Sequence, residues 1–169
     1  MTDTIRSIAD EYWEAKLEAS PLFASFLGDH RYDDRADDLS ADEERRLRSV
    51  WAGLRERAAA VASGNGELDE TDRASRDLLV QELDDSVRAI DLRLAELASD
   101  QMQGVHADLL ITAAQLQAPD AEHAAMALTR ARQFGRMLDQ ATDRYREGLA
   151  AGRPPVRINV ERSINQVDG

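Results

Sequence analysis

The stretch LVQELDDSVRAIDLRLAEL, residues 79–97, decides the fold of this chain. Its apolar side chains lie three or four residues apart and are Leu79, Leu83, Val87, Ile90, Leu94 and Leu97. This spacing keeps them on one face of an α-helix and is typical of a coiled-coil packing seam. The pattern predicts a helix over about residues 71–98.

A second long helix is predicted in the C-terminal half. Asp120 is a favourable N-cap, and the helix that it starts continues to Ala151. Its predicted seam consists of Ala127, Ala131, Phe134, Leu138, Ala141, Tyr145 and Leu149. Gly152 and the pair Pro154-Pro155 end this helix.

The chain begins with two shorter helices. The first is predicted over residues 4–19, and Ser20 caps a second one that starts with Pro21 and can end at Gly28. On these two helices and on the helix that follows them, aromatic and branched side chains recur at the three- and four-residue spacing of a buried helix face. Those expected to face inward include Ile5, Ile8, Tyr12, Trp13 and Trp51.

Three more helical segments complete the chain. Ser40 and Glu43 form a capping box for a helix that stops near residue 63. A shorter helix is predicted over residues 105–116. Residues 156–160 alternate briefly between apolar and polar, which predicts at most a short extended piece, and residues 161–167 are again helical.

The two long helices determine the predicted architecture. Each would reach roughly 40 Å at about 1.5 Å per residue, which exceeds the width of a compact small domain. The sequence therefore predicts an all-α fold, an elongated antiparallel bundle of about five long and short helices. With 169 residues the chain has the length of one domain, so residues 1–169 are predicted to form a single helical domain.

The composition limits the partners. The 33 Asp and Glu against 21 Lys and Arg give a net charge of -12, which repels phosphate backbones and anionic lipids. We therefore expect neither nucleic acid nor a membrane as a partner. The chain contains no Cys, which excludes thiolate metal sites, and no run of about 20 apolar residues or N-terminal signal. We expect a cytoplasmic protein.

No complete catalytic or metal-binding motif is present. A zinc-binding HExxH helix needs two histidines four residues apart, and none of His30, His106 and His123 has such a partner. Asp120-x-x-His123 is the nearest match to the Glu-x-x-His motif of di-iron bundles, but helix capping is the favoured role of Asp120. We predict no catalytic residue, metal ligand or cofactor in this chain.

Two polar loops are the candidate binding segments. Residues 28–39 mix His, Tyr, Arg and acids, a composition that can position a polar ligand. The same loop can be a connector whose aspartates accept local backbone amides and whose arginines pair with acids, and the residues alone favour this interpretation. Residues 101–106 contain a glycine break and His106, where helix capping is the favoured interpretation.

Several stretches resemble the bacterial domain-of-unknown-function 885 family. They are ADEYWE at residues 9–14, PLFA at 21–24, LGDHRYDDR at 27–35, QGVHAD at 103–108 and REGLAAG at 146–152. Family members are considerably longer, largely helical proteins, and their C-terminal part carries an HExxH-type element that resembles the zinc-binding helix of metallopeptidases. The resemblance implies zinc only for that C-terminal part, which this chain lacks.

The resemblance also implies a location for the polar loops. The side chains that would face the cleft of the complete protein are Asp29, His30, Arg31, Tyr32, Gln103 and His106. A structural role in joining helices is equally compatible with these residues, and no catalytic residue carries over.

Two functions from different classes follow. The first is a non-catalytic N-terminal helical portion of a zinc-dependent peptidase or hydrolase of unknown substrate, with a peptide substrate only in the complete protein. The alternative is a stand-alone helical interaction or dimerisation module that uses one of its seams.

An exposed apolar surface is expected near the C-terminus. Its members are Val156, Ile158, Val160, Ile164 and Val167. A missing C-terminal segment or a second copy of the chain would cover this surface, because large apolar patches on monomers usually find a partner. For the isolated chain we expect a homodimer.

Overall fold

The protein is described by a computed structural model that covers residues 3–61, 68–102, 104–115 and 118–168. Across these ranges the chain forms α-helices and short 3-10 helices, without a strand. The α-helices are α1 Ile5–Ala19, α2 Pro21–Phe26, α3 Ala41–Ala60, α4 Glu70–Asp91, α5 Val105–Gln115, α6 Ala121–Ala131, α7 Phe134–Ala150 and α8 Arg157–Asp168. The predicted all-α fold is confirmed. None of the described helices is long and apolar enough to cross a membrane.

The ends of several helices follow local capping rules. Asp120 caps α6, since its carboxylate accepts a hydrogen bond from the backbone N–H of His123 at 2.9 Å. Gly28, with φ +84°, ends α2, and the N–H of Asp29 returns to the carbonyl of Ala24 at 2.9 Å. This arrangement is a Schellman motif, which requires a left-handed residue that glycine adopts without strain.

The described chain divides into two compact units. The first comprises Met1–Leu17 and Asp42–Leu92, and the second comprises Glu18–Ala41 and Arg93–Gly169. The single domain over residues 1–169 stays a prediction.

The first unit is built around α1, α3 and α4. Tyr12 and Trp51 meet edge to face with ring centroids 5.5 Å apart, and the Tyr12 hydroxyl donates to Glu82 at 2.9 Å. The buried residues of this core are Ile5, Ile8, Tyr12, Trp51, Leu54, Ala58, Leu79 and Leu83. Trp13 was expected to face inward and is instead 43% exposed, because it lies about 100° around α1 from Tyr12, at the edge of the buried face.

The first predicted long helix is interrupted. The helix α4 ends at Asp91, and Arg93 adopts a left-handed conformation with φ 58° before the 3-10 helix Leu94–Leu97. The turn buries the side chain of Glu96 and leaves Leu94 and Leu97 partly exposed. The predicted seam therefore holds through Ile90 and is wrong beyond it.

The second predicted long helix is also interrupted. It divides after Ala131 into α6 and α7. Gln133, at the break, accepts from the N–H of Ala36 at 3.3 Å and donates to the carbonyl of Asp34 at 2.7 Å. Ala141 of the predicted seam is buried, whereas the other buried positions, Arg130, Met137, Arg144 and Gly148, each lie one residue before a predicted seam position.

The segment expected to be extended near Val156 is helical from Arg157 onwards. The N–H groups of Asn159 and Val160 both bond to the carbonyl of Val156, at 3.0 and 3.2 Å. The sequence allowed at most a short extended piece here, because alternation over five residues is too short to distinguish a strand from a helix.

Candidate functional site

The first residues of the loop at 28–39 bond to each other. Asp29 accepts from the backbone N–H of Arg31 at 3.1 Å and from Nη2 of Arg31 at 2.6 Å. The side-chain and backbone hydrogen bonds from Arg31 hold the pKa of Asp29 below its ordinary value. Tyr32 has the guanidinium groups of Arg31 and Arg35 each 5.3 Å from its ring centroid. This end of the loop matches the connector interpretation.

Asp33 joins the loop to two helices. Its Oδ2 lies 2.8 Å from Nδ1 of His30, while Oδ1 accepts from the Ser25 hydroxyl and from Nη2 of Arg130 at 3.2 Å. Burial raises the pKa of Asp33, but the hydrogen bonds from Ser25 and His30 and the charge of Arg130 outweigh it and lower the pKa. Asp33 is therefore held as a carboxylate.

Arg130 is the buried cation behind this loop. Its side chain is fully buried, and Nη2 donates to the Ser25 hydroxyl and to the carbonyl of Tyr32, each at 2.7 Å. Nε and Nη1 have no hydrogen-bond partner among the described residues. Burial lowers the pKa of Arg130, and the charge of Asp33 opposes this shift. We refer to Ser25, Asp33 and Arg130 as the Arg130 cluster.

Arg130 was not among the predicted functional residues, although the sequence contains a signal for it. The residue lies three positions after Ala127 and four before Phe134, which were both assigned to the predicted seam. A charged residue at that spacing falls on the buried face of a helix, where it requires a partner. The partner is Asp33, whose carboxylate pairs with Arg130.

Two histidines that are distant in sequence lie next to each other. The rings of His30 and His123 have centroids 6.1 Å apart and an interplanar angle of 89°. Nδ1 of His123 lies 2.7 Å from Oδ1 of Asp120, and this hydrogen bond raises the pKa of His123. The capping role predicted for Asp120 is confirmed, and its carboxylate also bonds the imidazole.

A third polar group follows at the end of the loop. Asp37 accepts from the N–H of Leu22 at 3.1 Å, and burial raises its pKa to about 6. The bond from Leu22 and the charge of Arg130 lower this pKa, while the charge of Asp108 raises it. Burial also raises the pKa of Asp108, which His106 opposes. The first turn of α5 thus acts electrostatically on the loop.

Close packing explains why a glycine stands at position 104, two residues before His106. A Cβ on Gly104 would lie 2.4 Å from the carbonyl oxygen of Asp100 and 2.7 Å from Cε1 of His106, so a larger residue does not fit. Nε2 of His106 is buried without a partner among the described residues. Gln103 lies outside the described residues. That Asp29, His30, Arg31, Tyr32 and His106 face a cleft stays a prediction, and the described contacts do not join His106 to the other four.

An ionic cluster lies at the 3-10 helix Leu94–Leu97, which follows the end of α4. The fully buried Glu96 accepts from Nε of Arg153 at 2.9 Å and from Arg93, and Nη2 of Arg144 lies 3.8 Å away. Burial raises the pKa of Glu96, but hydrogen bonds from Arg153 and Arg93 outweigh it and lower the pKa. A Cβ on Gly148 would lie 2.8 Å from Cβ of Glu96, so α7 approaches this carboxylate closely. Sequence analysis missed this cluster.

The described residues do not fit the catalytic zinc that the family resemblance implies. Such a site takes three protein ligands and an open position. No group of three or more His, Asp or Glu side chains suited to a metal occurs in the described part of the chain. No step of a reaction is therefore assigned to zinc here.

The comparison with known proteins gives one family. A family model described as "Bacterial protein of unknown function (DUF885)" matches residues 21–169. No curated protein and no solved structure matches the chain. Because the match spans most of the sequence and includes every residue of the Arg130 cluster, this chain belongs to the DUF885 family of bacterial proteins.

Proposed function

We propose that this chain is a non-catalytic helical portion of a cytoplasmic zinc-dependent peptidase or hydrolase. Membership of the DUF885 family supports the proposal, since the resemblance implies an HExxH element elsewhere in the complete family protein. In this proposal the chain supplies a helical support, and the zinc ligands come from other segments.

The observation that carries this proposal is the exposed apolar surface of α8. Ser163 is the only buried residue among the twelve of this described helix. Four apolar side chains at or near α8 are largely exposed: Ile164 and Val167 share one face of the helix, Ile158 lies on the opposite face, and Val156 precedes the helix. Helices in proteins gain most of their stability by packing an apolar face. A further helical segment of the complete protein would cover this surface.

The polar loop gives the support a second role. The imidazole of His30 and the guanidinium of Arg31 are exposed, while Asp33 is tied to the buried Arg130. Exposed polar side chains on a firmly held loop are suited to contact a peptide that binds in a neighbouring cleft. The proposal assigns the guanidinium of Arg31 to substrate contact in the complete protein and gives it no chemical step.

The alternative is a stand-alone dimerisation module. The same apolar side chains on α8 favour it, because a two-fold interface uses one surface patch on both copies. The net charge of -12 opposes association, so only a specific interface would form.

The gene's reading frame and one assay separate the two functions. The proposal expects an in-frame HExxH element after the codon for Gly169, and peptide hydrolysis by the complete product that a chelator abolishes. The present chain should not hydrolyse peptides. A stop codon directly after Gly169 together with a stable dimer would favour the alternative, and zinc-independent hydrolysis by the complete product would contradict the proposal.

A further inference from the structure

His30 and His123 come from separate elements of the second unit. His30 begins the 3-10 helix His30–Tyr32, and His123 lies in the first turn of α6. Their ring centroids are 6.1 Å apart. Two imidazoles on one tetrahedral zinc have centroids roughly 5 Å apart, given zinc–nitrogen distances of about 2.0–2.1 Å. The two rings would have to approach by about 1 Å to share an ion.

The hydrogen bonds of both rings select the tautomer that binds metals. Nδ1 of His30 faces Asp33 at 2.8 Å, and Nδ1 of His123 faces Asp120 at 2.7 Å. An ionised carboxylate only accepts, so Nδ1 of each neutral ring must carry the proton. The lone pair of each ring then lies on Nε2. Metal-binding histidines are almost always held this way, with the other nitrogen donating to a carboxylate or carbonyl.

The surrounding charges favour a cation. Asp33 and Asp120 each bond one of the two rings, and Glu122 precedes His123 in the chain. The buried cation Arg130 bonds Oδ1 of Asp33 and leaves Oδ2 to His30. The side chains of His30 and His123 are 60% and 33% exposed, so an ion can reach them from solvent.

We propose that His30 and His123 together bind one divalent transition-metal ion of the zinc class through their Nε2 atoms. Asp33 and Asp120 are the outer partners that orient the rings, and water completes the coordination. Imidazole ligands suit zinc, copper and nickel better than magnesium or calcium, which prefer oxygen. The site differs from a three-ligand catalytic zinc centre because it has two protein ligands from different helical elements.

Zinc chloride is the probe for this site. Isothermal titration calorimetry near neutral pH should find one zinc ion per chain. At a pH above the raised pKa of His123, nitrogen NMR of the imidazoles should show the neutral, Nδ1-protonated form of both rings before zinc is added, and a shift of their Nε2 signals afterwards. The Nε2 signal of His106 should stay unchanged.

Substitutions assign the ligands. Asp120→Asn keeps a good helix N-cap but removes the charge, and should weaken zinc binding by roughly 10–100-fold. His30→Gln and His123→Gln should each weaken it at least as much as this loss of an outer partner. His106→Gln is the matched histidine control, and Asp143→Asn removes an exposed carboxylate that pairs with Arg146. Neither control should change zinc affinity.

The results that would overturn the proposal are specific. They are an absence of zinc binding, unchanged zinc affinity in both His30→Gln and His123→Gln, or an equal loss in His106→Gln. Binding of several ions without movement of the Nε2 signals would also overturn it, because it would show diffuse attraction to the acidic surface.

Discussion

Nη2 of Arg130 lies 3.2 Å from Oδ1 of Asp33, although 97 positions separate the two residues in the chain. The contact bridges α6 and the polar loop, and the Ser25 hydroxyl joins both partners. The other carboxylate oxygen of Asp33 bonds the imidazole of His30. One buried cation thus fixes the part of the loop to which the proposed function and the proposed metal site both refer.

Removing that cation should destabilise the protein. Arg130→Met leaves the carboxylate of Asp33 and the carbonyl of Tyr32 without their buried donor, and breaking a buried ion pair costs about 3–5 kcal/mol. Urea unfolding followed by circular dichroism measures this cost. The control is Arg136→Met, whose exposed side chain lies 3.5 Å from Asp38 and should change the free energy of unfolding by less than about 1 kcal/mol. Equal stability of the two variants would contradict the assignment.

Gly148→Ala tests the close approach of α7 to Glu96. Alanine normally stabilises a helix interior by up to about 1 kcal/mol over glycine. Here the new Cβ would lie 2.8 Å from Cβ of Glu96, so we expect a loss of about 1–3 kcal/mol instead. The matched control is Gly53→Ala inside α3, where a Cβ meets no atom within 4 Å. Thermal unfolding should move in opposite directions for the two variants. Stabilisation by both would show that the packing around Glu96 is loose.

Asp37 should make stability depend on pH. Its pKa is raised from 3.8 to about 6, so between these values the folded chain binds more protons than the unfolded chain. Its contribution to stability is therefore fully present below about pH 4 and is lost as the pH rises towards about 6. Asp37→Asn keeps an oxygen for the N–H of Leu22 and removes the titration. The difference in unfolding free energy between the variant and the natural chain should grow over this range. A constant difference would refute the titration.

The isolated chain should form a dimer through α8. Apolar side chains at Val156, Ile158, Ile164 and Val167 are largely exposed, as expected from the sequence, and Val160 is half-buried. Light scattering should report a dimer that Ile164→Asp or Val167→Asp converts to a monomer. Leu110→Asp, at another exposed apolar position of the second unit, should leave the dimer intact. A natural chain that stays monomeric at every concentration would contradict this prediction.

Features that depend on a few neighbouring residues were predictable from the sequence. The cap at Asp120, the helix ends at Gly28 and Gly152, and the buried positions Leu79 and Leu83 follow from local hydrogen bonding and helical spacing. The two long helices were predicted without interruption because nothing in their local sequence requires a break.

Features that depend on tertiary contacts were not predictable. The left-handed Arg93 is supported by bonds to Glu96 and to Glu147, which lies 54 positions away. The neighbouring rings of His30 and His123 likewise come from distant segments, so spacing within one helix could not reveal them. The sequence therefore predicted only part of the candidate site: it indicated the polar loop but not the buried Arg130 that holds it.

Hydrogen exchange of the α8 backbone amides tests the proposed function most directly. The measurement compares this chain, in its monomeric Val167→Asp form, with the complete product of the reading frame that carries the same substitution. The account predicts rapid exchange over Arg157–Asp168 in the shorter chain and clear protection in the complete product, because another segment covers the helix. Equal exchange rates in both proteins would contradict the claim that this chain is a helical support within a larger enzyme.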